Sequence, residues 1–483
     1  MRTVTTLALI LLTTPLSAQS NAPISAIDWL SQPGLVPLSD GSSIIGDPTN
    51  GAVLDEITTI ELEGPVTKSY GLIPTKISKI PIDFWTDVDP ETLTQIIGSL
   101  SGPGLPAAND LLLRALLAET LGDEVVLGVR VRALIDLGAV YAAYSLLGQS
   151  QIDNFESFAL FAEAALLSDN IEQMCRQLNL ARHLSNNEAL QVYCLAREGS
   201  WDTAVLNFFT LRTIGAFSPT MSDLLEADLD PELADTLELN QVDMFGISAI
   251  EFKLRASVGQ PLATQFLPLK FAPSDLSNKT GWKQQIEAAE RLAAVGSLPA
   301  AKLLEKYQSN RRVASGDVWA RVLAVQKLDS VLADPIIDPE AELQAFWALM
   351  HDRKLTSPLA QAWANKLRKF GVASEDDNIL FQMQILANVN SLDFDITMDR
   401  LHSFRPQVLA ADYDTLITHF KQEIAEAIPF RSSNILRAMK KISDGLDGNS
   451  TAFLEAIFLY RAMGLTPLAQ QLAVEFMILA PDR

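Results

Sequence analysis

Two cysteines and four histidines are the side chains best suited to metal, redox or nucleophilic chemistry in this chain, and their spacing limits what they can do. His183, His351, His402 and His419 lack a second His, a Cys or a paired carboxylate in a helical ligand pattern such as H-E-x-x-H, so structural zinc is not expected. No G-x-S-x-G nucleophile elbow, no G-x-x-x-x-G-K-[ST] phosphate loop and no strand-linked G-x-G-x-x-G occurs. The acidic turn SDGLDGNSTAFLE, from Ser443 to Glu455, does not place its carboxylates together at the calcium-loop positions 1, 3, 5 and 12, and reads as a polar helix connection. These patterns assign no catalytic, metal or cofactor-binding residue, and no cofactor is expected.

The cysteines are informative through geometry. Cys175 and Cys194 lie in two helical-looking stretches joined around His183 to Asn187, roughly equidistant from that turn. In an antiparallel helix hairpin each would sit about 14 Å from the turn at 1.5 Å per residue, so the two can face each other. In an oxidising compartment a disulfide follows; the alternative is two buried free thiols. A catalytic redox pair is not expected, since such pairs usually sit as C-x-x-C.

Helices must therefore carry whatever this chain does. With 48% hydrophobic and 20% charged residues, it can bury a large core and is not a disordered polymer. Residues 1–20 read as a signal peptide: Arg2, an apolar stretch from Val4 to Leu12, Pro15, then the small residues Ser17, Ala18 and Ser20. Residues 21–88, rich in Pro, Gly, Ser, Thr and Ile, read as an extended arm, partly β or disordered, with Ile27, Trp29 and Leu30 as an anchoring cluster that either docks a partner or, the commoner use of such a Trp, folds back on the chain's own body. Asp89, Pro90 and Glu91 then announce a helix, by N-cap, first-position proline and dipole-matched acid. Ala- and Leu-rich segments of about 10–16 residues follow to the C-terminus. A first helical half over 89–230, an irregular proline-containing junction over 231–280 and a second helical half over 281–483 are expected, in an all-α helical-hairpin array.

Four breaks share one spacing: Gly138, Gly199, Gly296 and Gly464 are followed five residues later by Ala143, Ala204, Ala301 and Ala469. Glycine closes the first helix of a hairpin in the left-handed conformation, and alanine early in the second lets the backbones approach. With Trp201 and Phe208 beside Ala204, the chain here resembles the tetratricopeptide-like repeat family, which implies an α-solenoid whose long curved faces bind protein or peptide. The units are unevenly spaced. Glu156–Ser157 invites comparison with lytic transglycosylases, which carry a catalytic Glu followed by Ser. That family places the pair in a C-terminal lysozyme-like domain, whereas here it lies in the first third, within an Ala-Leu helix. An acid favoured by the helix dipole after the capping residue Asn154 accounts for it.

Charge narrows the partners. There are 37 basic and 59 acidic side chains, for a net charge of −22, and losing Arg2 with a leader makes it −23. Such a surface repels phosphate, and the basic groups, Arg130/Arg132, Arg311/Arg312 and Lys440/Lys441, are small. Nucleic acid is not an expected partner, and no run past the leader is long and apolar enough for stable membrane insertion. The expectation is an exported, periplasmic or secreted, non-enzymatic helical-repeat protein that binds a protein or peptide of the cell envelope. The alternative is a cell-wall-active or glycan-binding protein that uses aromatic platforms and separated carboxylates.

Overall fold

Asp89 opens the first long helix. Its carboxylate accepts the Thr92 N–H at 2.9 Å, Pro90 occupies the first helical position and Glu91 lies in the first turn. Similar side-chain caps at Asp123, Asn154, Asn187, Ser218, Ser248, Asp393 and Asn449 begin seven later helices, so polar residues with local acceptors punctuate an otherwise apolar text. The computed structural model describes residues 68–100, 104–236, 244–311, 314–374, 378–389, 393–424 and 426–481. The chain divides into two units, Met1–Thr59 and Ile60–Arg483, and every described residue belongs to the second. The expected leader, most of the arm, and Ile27, Trp29 and Leu30 lie outside the described residues.

The described chain is mostly helical, with one small sheet. Strands β1 (Ser69–Tyr70) and β2 (Thr120–Leu121) pair antiparallel, Tyr70 opposite Thr120. Between them come α1 (Thr75–Ser78), α2 (Pro90–Ser99) and α3 (Pro106–Leu117). The single turn α1 is a helix where an extended arm is expected; Pro74 starts it and Lys79, left-handed at φ 59°, ends it. Four helix pairs follow: α4 (Glu124–Asp136) and α5 (Val140–Leu147), α6 (Phe155–Leu167) and α7 (Ile171–Leu180), α8 (Glu188–Arg197) and α9 (Trp201–Thr213), then α10 (Pro219–Leu229) and α11 (Ala249–Ser257). The first helices of these pairs begin 31 to 33 residues apart. Around α11, the segments Pro231–Thr236, Thr264–Phe266 and Leu269–Leu276 are 3-10 helices.

The second half contains α12 (Trp282–Ala294), α13 (Ala300–Gln308), α14 (Asp317–Val331), α15 (Glu340–Met350), α16 (Thr356–Ala362), α17 (Ala364–Leu367), α18 (Asn378–Leu386), α19 (Phe394–Phe404), α20 (Tyr413–Lys421), α21 (Ser432–Leu446), α22 (Ser450–Ala462) and α23 (Thr466–Leu479). Packing is not only between chain neighbours. Segment Leu269–Leu276 lies on α12, α4 and α6, α2 packs on both α4 and α21, and α3 packs on both α4 and α23. Early helices thus bridge the first pair and the end of the chain, over one nearly continuous apolar core.

The helix hairpins share one closing device. At Gly138, Gly199, Gly215, Gly259, Gly296, Gly448 and Gly464 the backbone turns left-handed, and the next N–H bonds the carbonyl five residues back, as in Ala139 to Leu134 at 2.8 Å and Ser200 to Leu195 at 3.0 Å. Asp169, Lys354 and Asn388 make the same turn without glycine. Ala143, Ala204 and Ala469 are fully buried where the paired helices meet, but Ala301 is exposed. The physical reason is linker length. The second helix starts two residues after Gly138, Gly199 and Gly464, but four after Gly296, so the fourth helical position there is Leu303, which is fully buried. Phe208 is buried, while Trp201 is half exposed and its indole N–H donates to the Leu229 carbonyl at 3.1 Å.

Cys175 on α7 and Cys194 on α8 are joined by a disulfide, with Cα atoms 4.9 Å apart and both side chains fully buried. The staple closes the α7–α8 turn from within the core, beyond reach of surface thiols.

A buried guanidinium secures the other end of the first pair. Arg130 of α4 is 2% exposed and donates to the carbonyls of Leu116 (3.0 Å), Tyr70 (3.1 Å) and Ala118 (2.6 Å) and to the Thr120 hydroxyl (3.0 Å). Burial pushes it down to about 10, still charged at neutral pH. One side chain thus holds β1, β2 and the end of α3 to α4.

Candidate functional site

A concave feature runs along α4. Gly128, Val129 and Ala133 of α4 line it. A cavity of about 630 Å³ opens between α2, α4, α12 and the α15–α16 turn, with apolar walls from Ile97, Leu100, Val129, Leu269, Val295 and Leu355. A second, of about 760 Å³, lies between α4 and α6 and begins at their N-termini. Thr94, Val129 and Arg132 line both, so the two adjoin along α4. These volumes suit several side chains of a bound segment.

Charges in this groove are of two kinds. Arg132 is committed: it pairs with Glu163 of α6, which also accepts from Lys270 at 2.8 Å. Burial raises the Glu163 carboxyl, but Arg132 and Lys270 together hold it below its ordinary value. Arg291 is likewise tied, to the carbonyls of Thr264 and Leu267 at 2.6 and 2.8 Å. Glu290 sits in a buried set with Arg321 (2.7 Å) and the Tyr307 hydroxyl (2.6 Å). By contrast, the Asp136 carboxylate and the Arg353 guanidinium line the first cavity and make no hydrogen bond or ion pair with described residues. Loss of hydration raises the Asp136 carboxyl, against the opposing pull of Arg132 and Lys270. An apolar trough edged by the Asp136 carboxylate and the Arg353 guanidinium, neither hydrogen-bonded nor ion-paired among the described residues, can hold a segment that supplies both opposite charges.

The second cavity contains Glu156 and Ser157, the pair with a superficial likeness to a hydrolytic acid, and also Glu124. Both glutamates are exposed in the first turn of their helices. Ser157 belongs to the cap: its N–H donates to Asn154 Oδ1 at 2.9 Å and its hydroxyl to the Asn154 carbonyl at 3.1 Å. The dipole account of Glu156 therefore has a geometric counterpart.

The histidines do not converge. His351 stacks on Trp347 and His402 on Tyr413, with ring centroids 4.7 and 3.9 Å apart, His419 lies tilted against Phe458 at 3.7 Å, and His183 is exposed beside the α7–α8 turn. Among the described residues no group of three His, Cys, Asp or Glu is placed to hold a metal ion, and no helix is long and apolar enough to cross a membrane. Sequence reasoning missed Asp136, Arg353 and Val129. In sequence they are an ordinary helix acid, a turn arginine and a valine, and only the fold, which sets α12 and the α15–α16 turn around one cavity with α4, brings them together. No family model, curated protein or solved structure matches the chain, so any functional assignment rests on this geometry.

Proposed function

We propose that the chain is an exported, non-enzymatic helical-repeat scaffold, tetratricopeptide-like in its hairpins, that binds a protein or peptide segment of the cell envelope along α4. The observation that carries this reading is the pair of adjoining cavities, apolar along their walls, the first edged by Asp136 and Arg353, which make no ion pair with described residues. A segment of several residues can lay apolar side chains against Ile97, Val129 and Val295, while its charges meet these two groups. Near-regular pairs over α4 to α11 and the left-handed hairpin turns support the repeat reading. The glycan reading draws on Glu124 and Glu156, which share one cavity.

The test is a photo-crosslinking residue at position 129 in the protein expressed in its own cells. The expected result is a discrete crosslinked partner that disappears with Ile97→Glu and weakens with Asp136→Asn. Release of glycan fragments from purified cell wall, abolished by Glu156→Gln, would replace this reading with the enzymatic one.

A further inference from the structure

A second surface stands well apart in character from the α4 groove. Between α14 and α15 the chain reads Asp334-Pro335-Ile336-Ile337-Asp338-Pro339, and it exposes 90% of Ile336 and 47% of Ile337. Across from them Val372, 60% exposed, follows α17. These residues, with Phe370, Leu343 and Ile379, line a cavity of about 540 Å³. Scattered exposed aliphatics need no explanation, but three around one concavity form a patch that water solvates poorly.

Both walls are fixed. Asp334 Oδ1 accepts the Ile336 N–H at 3.0 Å and the Asp334 carbonyl accepts the Ile337 N–H at 3.2 Å, so an Asx-type turn flanked by Pro335 holds the isoleucines outward. On the opposite wall the Ala373 N–H donates to the fully buried Gln384 at 3.1 Å, and the Ala373 carbonyl accepts from Arg400 at 3.0 Å. The apolar groups are thus presented by ordered turns, and a partner has little ordering cost to meet.

Charge selects the occupant. Asp334, Asp338 and Glu340 are exposed along the isoleucine wall, and no ion pair with a described residue neutralises them. The basic residues beside the other wall are Arg368, Lys369 and Arg400, the last donating to the Ala373 and Ser374 carbonyls, so the acidic excess lies on the isoleucine wall. Residues 21–67 carry seven acidic and no basic side chains, and a second copy brings a net charge of −22, so neither the chain's own arm nor another copy complements the rim.

We infer that this groove docks a cationic amphipathic segment of another protein, with its aliphatic side in the cavity between Ile336, Ile337 and Val372 and its Lys or Arg residues against Asp334, Asp338 and Glu340. This inference is independent of the function proposed for the α4 groove. The probe is a 14-residue fluorescein-labelled amphipathic helix of Leu and Lys, titrated into the full chain at two salt concentrations, with its Leu/Glu counterpart as control. Expected are saturable binding of the cationic peptide, a loss of about ten-fold or more with Ile336→Glu, and a reduced salt dependence with Asp338→Asn/Glu340→Gln. Hydrogen exchange should slow within 335–344, 370–374 and 378–380. Ile336 is nearly fully exposed, so its replacement leaves the fold intact, which circular dichroism checks. The inference is overturned by binding indifferent to Ile336→Glu, by protection spread over other acidic surfaces, or by equal binding of the Leu/Glu peptide. It is equally overturned by self-association that Ile336→Glu abolishes, or by crosslinks placing residues 21–67 in the groove.

Discussion

Replacing Glu475 with glutamine should make the protein more stable at alkaline pH and leave it nearly unchanged at acidic pH. Glu475 of α23 is 5% exposed; it accepts the Ala107 N–H at the start of α3 at 2.9 Å and the Gln471 amide at 3.0 Å. Burial outweighs these two bonds, Asp110 adds to the effect, and the carboxyl is pushed up from 4.5 to about 7. The sign follows from proton binding. Between pH 4.5 and 7 the folded protein keeps a proton that the unfolded chain has released, so stability is fully present below 4.5, falls as pH rises, and levels off above 7. At 1.36 kcal/mol per unit the total loss is about 3 kcal/mol. The substituted amide cannot ionise, so Glu475→Gln should lack this slope and exceed the parent by about 2–3 kcal/mol at pH 8. Urea unfolding at half-unit steps from pH 4.5 to 8.5, followed by circular dichroism, measures the difference. Other titrating groups are common to both proteins and cancel. Two parallel pH profiles would refute the reasoning, because Glu475 would then ionise in the fold as easily as in water.

Further outcomes follow from the same geometry. Arg130→Met should cost about 3–5 kcal/mol by leaving four acceptors of the β1–β2 region without their donor, and hydrogen exchange at 69–73 and 117–121 should rise first. Gly138→Ala should destabilise well beyond Gly199→Ala: both positions are left-handed, but a Cβ at 138 would collide with the Leu292 side chain and crowd the Leu269 carbonyl at 3.3 Å, while at 199 it meets nothing within 4 Å. Thermal melts should show about 1 kcal/mol for the second and at least twice that for the first. Ala204→Leu should cost about 1–3 kcal/mol by overpacking, while Ala301→Leu should be close to silent; equal effects would contradict the linker argument.

Much of the architecture is local and therefore legible. Asp89-Pro90-Glu91 marks a helix start because cap, ring and charge act within one turn, and Cys175 and Cys194 can be brought opposite each other by counting from one hairpin. Legibility ends where the same backbone state is reached by other means. Asp169, Lys354 and Asn388 turn left-handed like glycine and carry the same backbone bond; Asp and Asn favour that state more than other side chains, but nothing in Lys354 announces it. Ala301 misleads because two linker residues displace the packing register. The groove along α4 was beyond reach for a different reason: Asp136 and Arg353 are more than two hundred residues apart, and no periodicity links them.

The position of α3, on α4 at one side and α23 at the other, has a kinetic consequence. An open solenoid can mature from one end, each hairpin settling on the one before it. Here the seam between Ala107 and Glu475 joins residues 368 apart, so α3 cannot reach its final environment until α23 exists. Such long-range closure raises contact order and puts a slow step last. During synthesis the helices from α4 to α11 can assemble while the apolar side of α3 waits exposed, a stretch in which a chaperone or premature self-association would compete with the native partner at the far end of the same chain.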